Sequence, residues 1–251
     1  MRERPRILVT APRQLWPDIA RAVGGRWEAV AVPMVEAHAR DDRNYPRLAQ
    51  YLAEGRFSMV VFVNLLSARF ALQGPSGLVR AAASGLRDAH VLSQAPEVVE
   101  ELARFGVDSA VPLNCNIYDF LEEQGQRLKG ANVLLVSGTP PNPLIAVGME
   151  RMGAKVERLF TYTTRALRGA EQREAVAALL EKRFSAVTFE SAAAADALFR
   201  VPHTVKERRL LSRTLEELNV RAQNPVVAEA LAKHKVGAWV PQAYDFAHLF
   251  A

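Results

Sequence analysis

The sequence has little with which to form cross-links or enter a membrane. Its 251 residues include one cysteine, Cys115, so neither an internal disulfide nor a cysteine metal cluster is expected. No apolar run approaches the ~18 residues that span a bilayer. The first apolar stretch is only Ile7–Val9, far shorter than a signal-peptide core of roughly 7–15 residues. These absences predict a cytoplasmic globular protein without membrane contact, in which Ile7–Val9 belongs to the first strand.

Several signatures of catalysis are also missing. There is no Walker phosphate loop and no Gly-x-Gly-x-x-Gly motif. Ser191 lacks the flanking glycines of a nucleophile elbow, and no carboxylate pair stands out for acid–base catalysis. The five histidines have no second ligand at metal-binding spacing. The sequence therefore argues against a nucleotide site, a serine hydrolase and a metal centre.

Charge gives a weak indication of the partner. The formal net charge is +5, which favours anionic partners, whether nucleic acid, phosphates or carboxylate-rich small molecules, although a solvated basic surface would look the same. The densest basic run, Val205–Arg213, contains an acidic residue and has helical spacing. It therefore predicts an exposed helix face. Taken with the rest of the sequence, no nucleic-acid partner is expected.

What the sequence does contain is an alternation of strands and helices that occurs twice. Short apolar runs alternate with helical patterns, which predicts an α/β fold with parallel sheets and helices on both faces. The stretch FSMVVFVNLLSARFAL from Phe57 recurs 127 residues later as FSAVTFESAAAADALF from Phe184. APEVVEELARFGVDSAVP from Ala95 recurs at a shift of 129 as NPVVAEALAKHKVGAWVP, and RILVTA returns as NVLLVSG. Similar stretches in one order at nearly one shift predict two flavodoxin-like halves of five strands each.

Candidate site residues follow from this fold class, because ligands of parallel sheets bind beyond the carboxyl ends of the strands. The run LFTYTTRAL, from Leu159, places four hydroxyl side chains at one strand end, although, taken alone, β-propensity on a half-buried edge strand explains them better. The turn SGTPPNP could present backbone N–H groups to an anion, or could simply begin a helix at Pro143 with Asn142 as N-cap. The polar strand-end residues proposed to bind a ligand are Thr10, Arg13, Asn64, Ser67, Ser93, Ser137, Gly138, Thr139, Thr164, Ser191 and Asn224.

These stretches together resemble the uroporphyrinogen-III synthase family over essentially the whole chain. The opening ILVTAPR is similar to the family's Thr-Arg-Pro-Arg-like turn, with Thr10, Pro12 and Arg13 matching. VLLVSG matches the midpoint strand and its Gly138, and GAKVERLFTYTT matches the strand that ends in a tyrosine followed by a polar residue and threonine. In the family that tyrosine, here Tyr162, faces the active cleft and is the side chain most often given a catalytic role.

The resemblance implies an architecture and a reaction. It implies a discontinuous domain of residues 1–34 and 166–251, a second domain of residues 37–161, extended linkers near 33–37 and 161–166, and a cleft between the domains. It implies cyclisation of the linear tetrapyrrole hydroxymethylbilane to uroporphyrinogen III by a hydro-lyase, with inversion of ring D and no cofactor. Tyr162 would donate a proton to the departing hydroxyl, and Arg13 and Arg165 suit the substrate's carboxylates. A monomer that meets hydroxymethylbilane synthase transiently is the expected form.

Two other hypotheses stay open. The family's Gly-Pro-x-Thr-Ala turn becomes APEVV and NPVVA here, with Val98 and Val227 in place of the threonine. A non-catalytic relative that binds a tetrapyrrole as a regulatory clamp would fit that change. The third hypothesis is an unrelated two-domain binding protein of periplasmic-binding-protein architecture.

Overall fold

The computed structural model describes residues 4–40, 43–73, 84–93, 96–108, 110–112, 117–139, 141, 143–242 and 245–251. Cys115, Ala95 and the predicted N-cap Asn142 lie outside these residues. The chain folds into two compact units: unit 1 is Met1–Ala37 with Thr164–Ala251, and unit 2 is His38–Thr163. None of the described helices combines the length and the hydropathy needed to cross a membrane.

Strands and helices alternate along the chain, which confirms the predicted α/β fold. The strands are β1 Arg6–Val9, β2 Glu28–Ala31, β3 Val35–Ala39, β4 Met59–Phe62, β5 His90–Ser93, β6 Val111–Pro112, β7 Asn132–Thr139, β8 Lys155–Ala166, β9 Ala186–Phe189 and β10 Asn219–Ala222. The helices are α1 Trp16–Val23, α2 Tyr45–Ala53, α3 Leu65–Leu72, α4 (described over 84–88), α5 Pro96–Ala103, α6 Ile117–Leu128, α7 Pro143–Arg151, α8 Ala170–Leu180, α9 Ala192–Phe199, α10 Val205–Glu216, α11 Pro225–Ala232 and α12 Phe246–Phe250. A 3₁₀ turn at Arg13–Leu15 leads into α1.

Each unit has its own sheet. In the described residues the first sheet has the order β10-β9-β1-β2, and the second has the order β3-β8-β7-β4-β5-β6. The registered pairs of β1 with β2 and β9, and of β7 with β4 and β8, are parallel. Trp239 forms a single parallel bridge to Arg221, beside β10. Parallel pairing confirms the sheet type predicted from the apolar strands.

The two sheets have the same underlying strand order. The repeated sequences match β1 with β7, β9 with β4, and α11 with α5, and the shift of 129 residues places β10 at the position of β5. The order β2-β1-β9-β10, followed by the Trp239 bridge, therefore corresponds to β8-β7-β4-β5-β6. The expectation of five strands in each half is wrong in detail. Over the part of the chain that the structure describes, the first sheet has four strands and a bridge, and the second gains β3 as an extra edge strand.

The segments proposed as linkers are hydrogen-bonded strands in this structure. β3 begins at Val35, and β8 continues without a break to Ala166. The backbone N–H of Arg40 donates to the carbonyl of Thr161 at 2.9 Å, and that of Leu167 donates to Met34 at 2.9 Å. Backbone pairing on both sides of the unit boundary therefore holds these segments in β conformation.

Buried strands fix where the polar strand ends lie. β4 and β9 are buried along their whole length, as expected for parallel strands covered on both faces. Each is followed by an N-cap residue, Asn64 before α3 and Ser191 before α9. The chain must leave the core and start a helix within two residues, and capping side chains satisfy the first helical N–H groups there. α7 likewise begins at Pro143, which confirms the helix start predicted for SGTPPNP.

Candidate functional site

The hydroxyl-rich run at the end of β8 separates into residues with different surroundings. A register shift between Ser137 and Gly138 pairs Ser137 with Phe160 but Gly138 with Tyr162. Thr161 is the extra residue, and its Oγ1 lies 3.2 Å from the carbonyl oxygen of Ser67 and 3.4 Å from that of Ser137. Thr161 is therefore a buried structural side chain, and the bulge places Tyr162 over Gly138.

Tyr162 is held on three sides within unit 2. The side-chain amide nitrogen of Asn64 donates to its phenol oxygen at 2.9 Å. Its ring stacks on Phe70, with centroids 5.6 Å apart and planes inclined by 24°. A Cβ atom at Gly138 would lie 2.3 Å from the Cζ of Tyr162, so only glycine allows the ring to come this close. The Tyr162 residue is 7% exposed.

Asn64 is itself oriented by capping helix α3. Its Oδ1 accepts from the backbone N–H of Ser67 at 2.9 Å, and Ser67 Oγ accepts from the backbone N–H of Asn64 at 3.2 Å. The cap fixes which end of the amide is oxygen, so the NH₂ group points to Tyr162. An amide nitrogen accepts no hydrogen bond, so the phenol proton of Tyr162 must point to a different group.

The other proposed residues of unit 2 are dispersed along the same sheet edge. Ser93 is fully buried at the end of β5, and Ser137 is 4% exposed. Among the described atoms, Ser137 Oγ has no hydrogen-bond partner. Thr139 Oγ1 accepts from Arg40 Nη1 at 2.9 Å, and the Arg40 guanidinium lies 5.4 Å from the ring centroid of Phe160. Arg40 was not proposed from the sequence; its only signal was a basic residue directly after a strand.

Unit 1 places two of the proposed residues around a carboxyl group. Thr10 Oγ1 donates to the carbonyl of Thr188 at 2.7 Å and lies 3.3 Å from Glu190 Oε2. Ser191 Oγ caps α9 by accepting from the N–H of Ala194 at 3.2 Å, and it donates to Glu190 Oε1 at 3.1 Å. Thr10 and Ser191 therefore meet through Glu190, which follows β9 directly.

Burial changes the acidity of that carboxyl group. Desolvation raises the pKa of Glu190 to about 7, although hydrogen bonds from its own backbone N–H, from Ser191 and from Thr10 act in the opposite direction. Glu190 was not singled out from the sequence. The available signal was a carboxylate between a buried strand and a capping serine, and such a residue is a functional candidate when its pKa lies near neutrality.

The remaining proposed residues lie elsewhere in their units. Arg13 is exposed, and its Nη2 forms an ion pair with Glu171 Oε2 at 3.2 Å. Its guanidinium carbon lies 5.1 Å from the ring centroid of Trp16. Both members of that ion pair line an open cavity of about 490 Å³ within unit 1. Asn224 caps α11 by accepting from the N–H of Val227 at 3.2 Å, and Thr164 is half-buried in β8.

The chemistry of these edges is that of acids, amides and hydroxyls. Among the described residues, no three His, Cys, Asp or Glu side chains are grouped as metal ligands would be. The phenol of Tyr162 and the carboxyl of Glu190 are the groups able to transfer protons, and Arg40 and Arg13 are cations able to pair with carboxylates. Each unit by itself therefore contains a group able to transfer a proton and a cation able to pair with an anion.

Comparison with known proteins gives a family model and several solved structures. The family model described as Uroporphyrinogen-III synthase HemD matches residues 19–251. A mutant uroporphyrinogen III synthase from Thermus thermophilus has a TM-score of 0.61 at 18% sequence identity, over 94% of this chain and 91% of that chain. Uroporphyrinogen-III synthetase from Helicobacter pylori has a TM-score of 0.57 at 11% identity, over 98% of this chain and 96% of that chain. At these identities the two structures establish a likeness of fold, and no curated protein sequence gives a significant match.

Proposed function

We propose that this chain, which belongs to the uroporphyrinogen-III synthase family, cyclises hydroxymethylbilane to uroporphyrinogen III with inversion of ring D. The family match confirms the resemblance drawn from the sequence. The observation that carries the proposed activity is Tyr162, whose phenol is fixed by Asn64, Phe70 and the missing side chain of Gly138. An acid held in one orientation at a strand end is what the first chemical step needs.

That step is the loss of water from the hydroxymethyl group. The Tyr162 O–H gives its proton to the hydroxyl oxygen, and the carbon–oxygen bond breaks with its electron pair leaving on water. The lone pair of the adjacent pyrrole nitrogen stabilises the resulting cation. Ring D then attacks through a spiro intermediate, and its reattachment closes the macrocycle. A positioned acid of this kind contributes roughly 10²–10⁴-fold to a rate.

Substrate binding would depend on cations that each unit carries. Arg40, which already contacts Thr139, and Arg13, which lines the cavity of unit 1, can each pair with a carboxylate side chain of the tetrapyrrole. The net charge of +5 would favour the encounter with a polyanion. Arg13 would have to exchange Glu171 for substrate, which costs little because exposed ion pairs contribute only about 0–1 kcal/mol.

A second candidate is a non-catalytic relative that binds a tetrapyrrole. Val98 and Val227, which replace the family's turn threonines, are buried and bring no hydroxyl to the turns before α5 and α11. A protein that had lost these groups could still bind the substrate with its arginines. That candidate predicts binding without turnover.

One experiment distinguishes the two candidates. Hydroxymethylbilane is generated in a coupled assay with and without the purified protein, and the type III and type I products are separated. The enzyme predicts type III above the spontaneous type I background, in proportion to protein concentration. Saturable binding of hydroxymethylbilane, measured by thermal stabilisation, with no excess of type III would support the binding protein instead.

A further inference from the structure

Asn64 carries an amide group of which its helix cap uses only the oxygen. Its Oδ1 caps α3 by accepting from the backbone N–H of Ser67 at 2.9 Å. Ser191, at the corresponding position of the sequence repeat, caps α9 with a hydroxyl alone, accepting from the N–H of Ala194 at 3.2 Å. Asparagine and serine are about equally good N-caps. Capping therefore leaves the Nδ2 group of Asn64 unexplained, and this group donates to the phenol oxygen of Tyr162 at 2.9 Å.

The amide of Asn64 connects the first turn of α3 to that phenol oxygen. It accepts from the N–H of Ser67 on one side and donates to Tyr162 on the other. An amide whose oxygen accepts a hydrogen bond is a stronger donor through its nitrogen, because the two bonds polarise each other. The first N–H groups of a helix carry its partial positive charge, and the N–H of Ser67 is one of them. Asn64 therefore extends the positive potential of α3 to the phenol oxygen.

The surroundings of these two hydrogen bonds keep them in place and strengthen them. Tyr162 is 7% exposed and Ser67 is fully buried, and electrostatic interactions are stronger in such a poorly hydrated environment than in water. Phe70 and Gly138 hold the tyrosine ring, and Ser67 Oγ holds the backbone N–H of Asn64. All five residues belong to unit 2, so this arrangement is complete within one unit.

The hydrogen bond from Asn64 becomes stronger when Tyr162 loses its proton. Hydrogen bonds to an ionised oxygen are roughly twice as strong as those between neutral groups. The bond is therefore stronger in the transition state of proton transfer than in the resting protein. An interaction that strengthens in the transition state raises kcat and leaves substrate binding almost unchanged.

We propose that Asn64 is a positioning residue that acts through Tyr162 and stabilises the negative charge on the phenol oxygen during proton transfer. This role rests on the proposed cyclisation. The O–H bond of Tyr162 breaks, its electron pair stays on the phenol oxygen beside the amide, and the proton goes to the departing hydroxyl of the substrate. The ring carbon that forms the closing bond later releases a proton to solvent, and the phenolate takes one from solvent. The protein therefore regains its proton in each turnover.

Two substitutions separate this role from helix capping. N64S keeps an oxygen that can cap α3, as Ser191 does for α9, but removes the donor to Tyr162. N64D also keeps the cap, but it places a carboxylate oxygen where the amide donated, so the side chain accepts the phenol hydrogen and repels the developing charge. N132S is the matched control, because Asn132 is an exposed asparagine of the same unit, at the first residue of β7.

The test is a double-mutant cycle measured on the turnover of hydroxymethylbilane. We expect N64S to lower kcat about tenfold, with KM nearly unchanged and a thermal midpoint close to that of Y162F, which lacks the same hydrogen bond. In the Y162F background N64S should leave the residual kcat unchanged, because no phenol oxygen remains to be stabilised. N64D should lower kcat about 10²-fold, as Y162F does, because the direction of the hydrogen bond is reversed. N132S should match the wild type.

Two patterns would overturn the assignment while the proposed function stands. In the first, the wild type makes type III product and N64S equals it in kcat. In the second, N64S lowers kcat by the same factor in the wild type and in Y162F, so that it acts by disturbing the fold and not through the phenol. If the wild type makes no type III product above the spontaneous level, the proposed function fails and this role of Asn64 fails with it.

Discussion

The carboxyl edges of the two sheets have the same order of strand, helix cap and helix. They differ in the acidic group that the cap contacts. Val63 and Asn64 follow β4, and Glu190 and Ser191 stand at the corresponding positions after β9, in the repeat of 127 residues. Asn64 and Ser191 each cap an eight-residue helix through the N–H three residues on. Each cap also donates a hydrogen bond to an acid: Asn64 to the phenol of Tyr162, and Ser191 to the carboxyl of Glu190.

The two units therefore have the helix cap in common and differ in the group that the cap orients. In unit 2 the residue before the cap is Val63, and the acid comes from β8 through the register shift at Gly138. In unit 1 the residue before the cap is the acid itself. One duplicated position can thus orient a weak acid in one unit and, in the other, a carboxyl group that titrates near neutrality. Substitutions at these positions test the comparison.

The largest expected effect is that of Tyr162→Phe on turnover. Removing the phenol oxygen leaves no proton for the departing hydroxyl, so kcat should fall about 10²-fold. The variant loses the hydrogen bond that Asn64 donates, and that loss should lower the free energy of unfolding by about 1 kcal/mol. Steady-state kinetics and thermal unfolding measure the two quantities, with Tyr51→Phe on α2 as control. A variant with the wild-type rate would leave Asn64 orienting a group without a catalytic role.

The second prediction concerns stability at Glu190 and does not depend on activity. The folded-state pKa of about 7 lies above the ordinary value of 4.5, so the folded protein keeps a proton that the unfolded chain releases. The associated stability is fully present below pH 4.5 and is lost as pH rises to about 7. Relative to E190Q, the wild type should therefore lose up to about 3 kcal/mol between about pH 4 and pH 8. Urea unfolding of both proteins across this range measures the difference. If the unfolding free energies of the two proteins change in parallel with pH, the pKa of Glu190 is not raised in the folded state.

The third prediction concerns the glycine under Tyr162. Gly138→Ala places a Cβ 2.3 Å from Cζ of the ring, so the ring must shift away from Asn64. We expect a loss of about 1–3 kcal/mol in stability, together with reduced turnover. Gly25→Ala in unit 1 is the matched control, because its Cβ would meet open space. Equal stability of the two variants would contradict the close packing of Tyr162 on Gly138.

The smallest expected effects are changes in stability at two hydroxyl residues, Ser137 in β7 and Thr10 in the turn after β1. Thr10→Val removes the donor to the Thr188 carbonyl and the contact with Glu190, and should cost about 1–3 kcal/mol. Ser137→Ala should change stability by less than about 0.5 kcal/mol, because in the described structure Ser137 Oγ has no partner to lose. Chemical unfolding of both variants checks the pair, and a larger cost at Ser137 than at Thr10 would reverse the comparison.

The strands and the polar strand ends of both edges could be predicted from the sequence. The contacts between side chains at those edges could not. Apolar runs such as MVVF and AVTF, repeated at one shift, predict matching parallel strands, and strand-end polar residues then predict the edges where Tyr162 and Ser191 lie. The one-residue shift opposite Gly138 depends on backbone pairing of β7 with β8, which no local pattern encodes. For that reason the burial of Thr161, beside Tyr162 in the same run, was not predicted.

Glu190 and Arg40 were missed for related physical reasons. The pKa of Glu190 depends on its burial and on which acceptor takes the Thr10 hydrogen, and both are properties of strands far apart in sequence. Arg40 meets Thr139 because β3 joins the second sheet beside β8, an addition that the repeats do not contain. The pKa of Glu190 and the pairing of β3 with β8 depend on tertiary structure. The periodicity and spacing of the sequence therefore do not predict them.

The most direct test of the whole account is the isomer composition of the product. Purified protein is given freshly generated hydroxymethylbilane, and the initial rates of type III and type I uroporphyrinogen formation are measured beside a protein-free reaction. We predict that type III forms in proportion to protein concentration and that type I falls below its spontaneous level. Type I alone, at the protein-free rate, would contradict the account.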